Sequence, residues 1–532
     1  MTSLVPALEI RDLVLRQGGR RLVDGLSLTL AHGRTLGLIG ESGSGKSLTA
    51  LAVMNLLPQG IVMDASSRIH IDGAALPTGN PRAMRELCGR KVAIVFQDPM
   101  ACLNPFMRVG SQIDEVLAKA GGLPLLERRD RVRELLSEVN LPDPAALAGR
   151  YPHELSGGQQ QRVMLAMALA GEPDILIADE PTSALDTSVQ AEIVALLAAL
   201  QRKRQMAMLI ITHDLAVAEM LAHDIAVMRR GQIVETAATA NILRAPEHPY
   251  TARLVAARRS LLAPGQAVAV ASTAPLVQAI NVAVDYPARG IFGRPVRAVQ
   301  EASFTLSRGR TLGILGESGS GKSTLAAAIA GLRPLTGGRV HLLGHVLSPE
   351  TPALPRALRR RCQVIFQNPY GSLNPRLSIA RALAEPLTLA GVAARERAGR
   401  IAAALADVGL DAEHAARFPH QLSGGQRQRV CIARALLCEP DVLVCDEVVS
   451  ALDMTVQVQV LELLQSLQAK RGFGMLFIGH DIDVVRWISD EILVMQQGRV
   501  VDQCAANELE ATELRHPYTR RLLAARLTPL AA

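Results

Sequence analysis

The chain has 532 residues, more than one hydrophobic core normally contains, so a single small domain is excluded and several domains are expected. Hydrophobic residues make up 49% and charged residues 20% of the composition, which excludes a disordered or a fibrous protein. The formal net charge of +7 is spread along the chain, and a solvated surface explains it better than a nucleic-acid or anionic-membrane partner does.

The sequence contains no run of eighteen apolar residues, and its first residues lack a charged stretch followed by an apolar one. We therefore expect neither a membrane span nor a signal peptide, and any work at a membrane would need membrane partners. The seven cysteines form no CxxC pair. Cys431, Cys438 and Cys445 recur at intervals of seven, but in apolar segments, so buried thiols are favoured over a cluster site. This usage fits a reducing compartment.

Near the start of the chain, apolar and polar residues alternate from about Ala7 to Leu30, which predicts antiparallel strands. An apolar run at 35–39 then leads into the octet Gly-Glu-Ser-Gly-Ser-Gly-Lys-Ser at 40–47, and an Ala/Leu-rich stretch without prolines follows. Strand, glycine loop and helix form the context in which GxxxxGK[ST] binds phosphate. Glycines let backbone N–H groups turn towards an anion, and the helix start adds further donors.

The same octet returns at 316–323 after the apolar run at 311–315. Lys46 and Lys322 can reach the β- and γ-phosphates of a nucleotide, and the hydroxyls of Ser47 and Ser323 suit Mg²⁺. The alternative, a glycine-rich turn with an exposed lysine, is disfavoured by two identical octets. The predicted phosphate loops comprise Gly40, Glu41, Ser42, Gly43, Ser44, Gly45, Lys46 and Ser47, and Gly316, Glu317, Ser318, Gly319, Ser320, Gly321, Lys322 and Ser323.

Downstream of the first octet, predicted strands and helices alternate. Apolar runs at 92–96, 175–178 and 208–212 predict strands, and residues 98–155 look helical. This alternation predicts an α/β core with a mainly parallel sheet. Since the second half repeats the order, we predict a tandem duplication with a first domain at 1–255, a Pro-containing linker at 256–275 and a second domain at 276–532.

Acidic pairs follow one predicted strand in each half. Asp179 and Asp446 close these strands, from where a carboxylate can hold Mg²⁺ directly or through water, and Glu180 and Glu447 come next. A glutamate at this edge can orient or deprotonate an attacking water. Alone, such a pair is usually a solvated turn, but its place after a phosphate loop favours a catalytic role.

His213 and His480 close further strands, where each could bind a γ-phosphate. A single histidine of this kind is more often a satisfied surface residue. Gln97 and Gln367, each in a Phe-Gln pair, are weaker candidates for a functional role. Their recurrence at matching places is the reason to include them.

The sequence Leu-Ser-Gly-Gly-Gln at 155–159 and 422–426 predicts a serine N-cap that opens a helix over two glycines. Such a helix start can bind phosphate, although the motif alone could be only a capped helix. The candidate residues are Ser156, Gly157, Gly158 and Gln159, and Ser423, Gly424, Gly425 and Gln426.

Together these motifs resemble an ATP-binding-cassette ATPase: phosphate loop, Gln97 loop, signature, acidic pair, a Ser-Ala-Leu-Asp loop at 183–186 and a switch histidine, in order and twice. The resemblance covers nearly the whole chain. It implies an α/β fold of two tandem P-loop NTPase domains, each with a RecA-like parallel sheet core, an antiparallel β subdomain and a helical subdomain. It also implies ATP hydrolysis, with ATP and Mg²⁺ as cofactors.

In that family two cassettes pack head to tail, and each ATP lies between one phosphate loop and the opposite signature. The resemblance therefore implies one site from the first phosphate loop with the second signature, and another from the reverse pairing. The implied catalytic residues are Glu180, His213, Gln97, Glu447, His480 and Gln367, and the implied metal ligands are Ser47, Gln97, Asp179, Ser323, Gln367 and Asp446.

The two halves differ where this family commonly stacks an aromatic ring on adenine. Tyr286 fits that place in the second half, but the first half has Arg16 there. Base–aromatic stacking is worth about 1–3 kcal/mol, and a flat guanidinium replaces it only in part. We expect the first site to bind nucleotide more weakly.

Three short motifs indicate a subfamily of these ATPases. Leu-Asn-Pro follows each glutamine (103–105, 373–375), Val-Gln follows each Ser-Ala-Leu-Asp (189–190, 456–457), and each half ends in His-Pro-Tyr-Thr (248–251, 516–519). Together they resemble the ATPases of bacterial peptide/nickel importers, here with two subunits fused. This implies a peripheral place on the cytoplasmic face of the inner membrane, two transmembrane permease subunits, an extracytoplasmic binding protein and no nucleic-acid partner. Since the cysteine-rich tail of some members is absent, we expect no iron–sulfur cluster.

The main alternative is a soluble twin-cassette translation factor acting on ribosomes. That family joins its cassettes by a long charged helical arm, whereas the joint here is short and weakly charged. A DNA-damage ATPase would need zinc-spaced cysteines, which are absent from the sequence. The substrate stays open among oligopeptides, dipeptides, glutathione, metal chelates and peptide antibiotics.

Overall fold

The computed structural model describes residues 5–121, 123–183, 185–263, 275–287, 295–511 and 515–527. Ala184 of the predicted 183–186 loop and residues 264–274 of the predicted linker lie outside the described residues. The chain divides into two compact units, one reaching Ala256 and the other running from Ala257 to Arg526, with Leu527 grouped with the first.

The first unit contains its elements in this order: β1 Leu8–Gln17, β2 Arg20–Leu30, β3 Thr35–Gly40, α1 Lys46–Val53, β4 Ile61–Met63, β5 Arg68–Ile71, β6 Ala74–Ala75, α2 Pro81–Leu87, β7 Val92–Val95, α3 Pro99–Cys102, α4 Val109–Ala120, α5 Leu125–Glu138, α6 Pro144–Ala148, α7 Gly157–Leu169, β8 Ile175–Asp179, α8 Thr187–Arg204, β9 Ala207–Thr212, α9 Leu215–Leu221, β10 Asp224–Arg229, β11 Gln232–Ala238, α10 Thr239–Arg244 and α11 Pro249–Leu262. Helix α11 begins in the first unit, and its residues from Ala257 onward belong to the second, so it runs past residue 255 into the segment predicted to be a linker.

The second unit repeats the order: β12 Pro275–Tyr286, β13 Val296–Ser307, β14 Thr311–Leu315, α12 Lys322–Ile329, β15 Gly337–Leu342, β16 His345–Leu347, α13 Arg356–Arg361, β17 Cys362–Ile365, α14 Pro369–Ser372, α15 Ile379–Leu389, α16 Ala394–Asp407, α17 Gly424–Leu436, β18 Val442–Asp446, α18 Met454–Arg471, β19 Gly474–Gly479, α19 Ile482–Ile488, β20 Glu491–Gln496, β21 Arg499–Ala505 and α20 Pro517–Ala524. Short 3₁₀ turns precede the signature helices α7 and α17.

Each unit contains a mainly parallel sheet. In the first unit its order is β11-β10-β3-β9-β8-β7, and β11 alone runs antiparallel to its neighbour. Strands β8 and β9 are buried on both faces, which explains why their sequences are continuous apolar runs rather than alternating ones. In the second unit the corresponding order, β21-β20-β14-β19-β18-β17, is part of one ten-stranded sheet that continues from β21 through β13, β12, β15 and β16.

The alternating segment at the start of the chain forms β1 and β2, which pair antiparallel as predicted. They belong to a separate sheet with β4, β5 and β6. A third region is helical: α4, α5 and α6 pack with α7, and their leucines and valines share one core with the adjacent face of the parallel sheet. The predicted α/β fold, with a parallel core, an antiparallel β subdomain and a helical subdomain in each half, is confirmed.

The second glycine of each signature lies where two helices approach closely. A Cβ on Gly158 of α7 would lie 2.4 Å from Cγ1 of Val189 in α8, and a Cβ on Gly425 of α17 would lie 2.4 Å from Cγ1 of Val456 in α18. Real Cβ contacts are not that short, so the helices can take this separation only with glycine. The glycines of the signature and the Val-Gln motif are therefore linked by packing.

We expect Gly158→Ala to destabilise the first cassette by about 1–3 kcal/mol, the usual cost of an overpacked contact. Thermal unfolding of the purified chain measures the change, and adding Val189→Ala should recover part of it by removing the opposing methyl groups. Gly157→Ala is the matched control, because its Cβ would come no closer than 3.8 Å, to Leu185. Equal losses in both glycine variants would rule out the packing explanation.

Candidate nucleotide sites

The order of the parallel strands brings the predicted site residues of the first unit to one edge of the sheet. Strands β3, β9, β8 and β7 lie side by side. Their carboxyl ends lead, respectively, into the phosphate loop at 40–47, His213, the pair Asp179 and Glu180, and Gln97. Parallel strands that are neighbours in a sheet end at the same edge, where ligands bind in this class of fold. Strands β14, β19, β18 and β17 repeat the arrangement in the second unit.

The first phosphate loop is a tight turn closed by its own lysine. A Cβ on Gly40 would lie 2.1 Å from the carbonyl oxygen of Met228, so the loop can pass β10 only with glycine there. Gly45 precedes α1 at φ 107°, a left-handed conformation that favours glycine. Lys46 is buried, and its Nζ lies 2.8 Å from the carbonyl oxygen of Gly40 and 2.9 Å from that of Glu41.

The second loop has the same geometry. Gly321 precedes α12 at φ 102°, and Nζ of the buried Lys322 lies 2.7 Å from the carbonyl oxygen of Gly316 and 2.8 Å from that of Glu317. The remaining predicted residues occupy the turns between strand and helix: Ser42, Gly43 and Ser44 in the first loop, and Ser318, Gly319 and Ser320 in the second.

A hydroxyl and a carboxylate meet beside each loop. Ser47 Oγ donates to Asp179 Oδ1 at 3.0 Å, and Ser323 Oγ donates to Asp446 Oδ1 at 3.0 Å. Burial, aided by the negative charge of Glu180, raises the pKa of Asp179 to about 6. Burial raises the pKa of Asp446 as well. A buried carboxylate of this kind gains from a nearby cation, and hydroxyl and carboxylate oxygens are the ligands that Mg²⁺ prefers.

The glutamate after each strand has an unusual backbone. Glu180 has φ 47° and Glu447 has φ 49°, in the left-handed region that non-glycine residues rarely occupy. Both side chains are held by the predicted glutamines: Gln97 Nε2 donates to Glu180 Oε2 at 2.8 Å, and Gln367 Nε2 donates to Glu447 Oε2 at 2.6 Å. Because both copies have the same backbone conformation and the same glutamine partner, the orientation of this carboxylate is a shared feature of the two sites.

The predicted histidines lie on these glutamates. His213 Nδ1 is 3.1 Å from Glu180 Oε1, and His480 Nδ1 is 3.6 Å from Glu447 Oε2. Burial would raise the pKa of Glu180, but the hydrogen bond and charge of His213 outweigh it and the pKa is lowered. The contact with His480 lowers the pKa of Glu447 in the same way, although burial opposes it. Each glutamate therefore stays ionised at neutral pH.

The signatures form capped helix starts. Ser156 N-caps α7, its Oγ accepting from the N–H of Gln159 at 3.3 Å while Gln159 Oε1 accepts from the N–H of Ser156 at 3.0 Å. Ser423 and Gln426 form the same reciprocal pair at α17, at 3.3 and 2.9 Å. The predicted serine caps are confirmed, and this reciprocal pair is a capping box. The glycines after them, Gly157, Gly158, Gly424 and Gly425, form the first turns of these helices.

The two units differ where a base would lie. Tyr286 ends β12 as predicted, its hydroxyl is 3.2 Å from Thr324 Oγ1, and the guanidinium of Arg333 lies 4.1 Å from its ring centroid. In the first unit Arg16 occupies the matching strand end and pairs with Asp64 at 3.1 Å. The second unit thus has a supported aromatic face, and the first has an ion pair.

The sequence matches the family described as ABC transporter over residues 23–183 and 299–450. It is 42% identical to "Peptidoglycan transport ATP-binding protein YejF" of Agrobacterium fabrum, across 98% of this chain and 97% of that protein. It is 40% identical to "Glutathione import ATP-binding protein GsiA" of Escherichia coli, across 98% of this chain and 89% of that one.

The chain belongs to the ABC transporter family. It is an ATPase with two cassettes that binds ATP, as predicted, and its relatives agree with the predicted import class. A solved structure, the ATP-binding cassette MJ0796 bound to ADP and Pi, is 27% identical over 44% of this chain and 98% of that one, with a TM-score of 0.39.

The three cysteines that recur at intervals of seven lie in the interior of the second unit. Cys431, Cys438 and Cys445 are buried thiols, as expected. Among the described residues, histidine, cysteine and carboxylate side chains form no group of three or more that could hold a metal ion. Within the same residues, no helix combines the length and the apolar character needed to cross a membrane.

Sequence reasoning missed two contacts of the cassettes. Gln190, noticed only as part of the Val-Gln motif, donates through Nε2 to Asp214 Oδ2 at 3.0 Å, and Asp214 follows His213 in the chain. Tyr250 and Tyr518, noticed only as part of His-Pro-Tyr-Thr, lie against the phosphate loops. The recurrence of both motifs at matching places was the available signal.

We expect Glu180→Gln combined with Glu447→Gln to keep ATP binding and abolish turnover. An amide cannot accept a proton from water, yet it fills the same space between glutamine and histidine. Nucleotide binding to the purified chain and phosphate release measure the two effects separately. Persistent hydrolysis in the double variant would remove both glutamates from the catalytic role.

We expect the first site to bind ATP at least about fivefold more weakly than the second, as the loss of about 1 kcal/mol of stacking predicts. Lys322→Ala leaves the first site to be titrated, and Lys46→Ala leaves the second. Adding Tyr286→Leu to the Lys46→Ala chain should bring the affinity of the second site down towards that of the first. Equal affinities in the two lysine variants would refute the asymmetry.

Proposed function

We propose that this chain is the ATP-hydrolysing subunit of a bacterial importer of the peptide/nickel class, which closes on two ATP between its cassettes and drives transport through separate membrane subunits. The observation that carries the proposal is the duplicated edge at which glutamate, histidine, glutamine, serine and aspartate converge on a phosphate loop. The relatives, named for import of glutathione and transport of peptidoglycan, support an import role for a peptide-like solute.

At the first site, Lys46 would exchange the loop carbonyls that now hold it for the phosphates of ATP. Ionised Glu180 would accept a proton from the attacking water, aimed by Gln97 and His213. Ser47 and Asp179, with Gln97, supply oxygen ligands that fit Mg²⁺, which would neutralise charge on the phosphates. Since little covalent chemistry is needed, this positioning would account for most of the rate.

The second site would use Lys322, Ser323, Gln367, Asp446, Glu447 and His480 in the same roles. In the proposed arrangement each γ-phosphate also binds the signature of the other cassette, Ser423–Gln426 for the first site and Ser156–Gln159 for the second. ATP would then favour a closed state because it binds both cassettes at once, and hydrolysis would remove that preference. This alternation is the step we couple to transport.

The helical segments after Gln97 and Gln367 are proposed to meet the permease subunits. Met100 is 51% exposed and Phe106 is 89% exposed in the first, and Tyr370 is 57% exposed in the second. Large exposed apolar side chains grouped in one segment are typical of a protein contact. The chain would then lie peripherally on the cytoplasmic face of the inner membrane, and an extracytoplasmic binding protein would deliver the solute.

We expect the tagged full chain, purified from its native membranes in mild detergent, to bring down two polytopic membrane proteins. Phe106→Arg should reduce their recovery about fivefold or more, because an exposed aromatic anchor of an interface usually contributes 1 kcal/mol or more. Val62→Arg, at a residue 65% exposed on the antiparallel sheet, is the matched control and should leave recovery unchanged.

Recovery of ribosomes in place of membrane proteins would support the translation-factor alternative and refute the importer. The solute is identified by mass spectrometry of the binding protein that accompanies the permeases. A peptide or a peptide-like compound is the expected cargo.

A further inference from the structure

The tyrosine of each His-Pro-Tyr-Thr motif makes a hydrogen bond to the phosphate loop of its own cassette. The hydroxyl of Tyr250 accepts from the backbone N–H of Glu41 at 3.1 Å, and the hydroxyl of Tyr518 accepts from the backbone N–H of Glu317 at 3.0 Å. Both tyrosines are buried, with 1% and 3% of their surface exposed. The partners are about two hundred residues apart in the chain, so the contact joins the end of each cassette to its nucleotide loop.

The first tyrosine is held in place by the residues around it. Both carboxylate oxygens of Glu235, in β11, accept backbone N–H groups just before α11: Oε1 that of Glu247 at 2.9 Å and Oε2 that of His248 at 3.0 Å. His248 Nδ1 then accepts from the N–H of Tyr250 at 3.1 Å. Pro249 begins the helix, where a missing N–H costs nothing. Each residue from His248 to Tyr250 thus has a role in aiming the hydroxyl.

The second cassette reproduces this support with a different acid. Asp502 Oδ2, in β21, accepts from the N–H of His516 at 2.9 Å, and His516 Nδ1 accepts from the N–H of Tyr518 at 3.2 Å. Pro517 begins α20. Since the acid differs between the copies while the tyrosine contact is kept, the contact with the phosphate loop is the shared feature.

The backbone of the loop residue is held from both sides. In the first cassette Tyr250 binds the N–H of Glu41 while Lys46 binds its carbonyl oxygen. Nucleotide would draw Lys46 towards the phosphates and release that carbonyl, whereas the tyrosine contact involves no group of the lysine. Tyr250 can therefore maintain the conformation of the loop when Lys46 leaves the loop carbonyls for the phosphates.

We propose that Tyr250 and Tyr518 are positioning residues that hold each phosphate loop in its binding geometry, and thereby set nucleotide affinity. The His-Pro-Tyr-Thr motif is in this view a clamp on the nucleotide site. The inference rests on the proposed assignment of the two nucleotide sites and adds residues to them. It predicts an effect on binding rather than on the chemical step, because each hydroxyl binds the backbone of the loop, whereas Glu180 and Glu447 are held by the glutamine and the histidine.

The test removes one hydroxyl and keeps the ring. In a Lys322→Ala chain, which leaves the first site to be titrated, Tyr250→Phe should weaken the binding of ATP and of ADP about three- to tenfold, as expected for one buried hydrogen bond. Turnover at saturating ATP should change less than twofold, so the effect appears in KM. Tyr518→Phe in a Lys46→Ala chain should behave in the same way at the second site.

Two comparisons separate positioning from a general loss of stability. Tyr151→Phe is the matched control, because Tyr151 stacks on His153 as Phe418 stacks on His420 at the matching place, and it should leave affinity unchanged. Tyr250→Phe in the Lys46→Ala chain should leave the affinity of the second site unchanged. If Tyr250→Phe lowers the affinity of both sites equally, or alters only the unfolding temperature, the clamp is refuted.

The lysine variants distinguish a wrong assignment of the first nucleotide site from a wrong role for Tyr250. If Lys46→Ala fails to abolish binding at the first site, the site itself is wrongly assigned. If Lys46→Ala abolishes it and Tyr250→Phe has no effect, only the role of the tyrosine falls. Should Tyr250→Phe not fold, Glu235→Gln weakens the support of the same tyrosine and is expected to raise the Kd for ATP about twofold or more, and an unchanged Kd overturns the proposal.

Discussion

The convergence of side chains at the carboxyl edge of a parallel sheet is the constraint on which both sites depend. Neighbouring parallel strands must end at one edge, so four strands suffice to place a loop, a histidine, an acidic pair and a glutamine together. At this edge Glu180 and Glu447 adopt left-handed backbone conformations. Such conformations persist only where surrounding structure enforces them, and here β8 and β18, buried among apolar neighbours, provide that enforcement.

The electrostatics of each edge separate two adjacent carboxyl groups into different roles. Asp179 is buried beside one hydroxyl and has a raised pKa, whereas Glu180 has a lowered one because His213 lies against it. Environments that push neighbouring pKa values apart are a common mark of divided function in a catalytic site. One carboxylate is thus ready to gain from a cation, and the next stays ionised and oriented without one.

The order of the phosphate loops, glutamines, acidic pairs and histidines was predictable because each of them follows a short apolar run that forms a buried strand. The convergence of Gln97 and His213 on Glu180 follows once those strands are placed side by side. The contact of Tyr250 with Glu41 was not predictable, since nothing local in His-Pro-Tyr-Thr indicates which distant backbone group its hydroxyl meets. The extension of α11 to Leu262 was missed because nearby prolines suggested a linker, although Pro264 comes only after the helix has ended.

The two copies agree closely in the contacts of the loop lysine, the serine and the glutamine, and they differ most where a base is proposed to lie. The lysine, serine, aspartate, glutamate and glutamine contacts agree to within about 0.2 Å between the copies. The place proposed for the base differs in kind, with Tyr286 under a guanidinium in one copy and an Arg16–Asp64 pair in the other. Phosphate geometry is fixed by charge and hydrogen bonds that tolerate little displacement, whereas stacking is sequence-tolerant and contributes affinity alone. In the proposed sites, this divergence would therefore change the affinity for nucleotide, and both sites keep the groups proposed for hydrolysis.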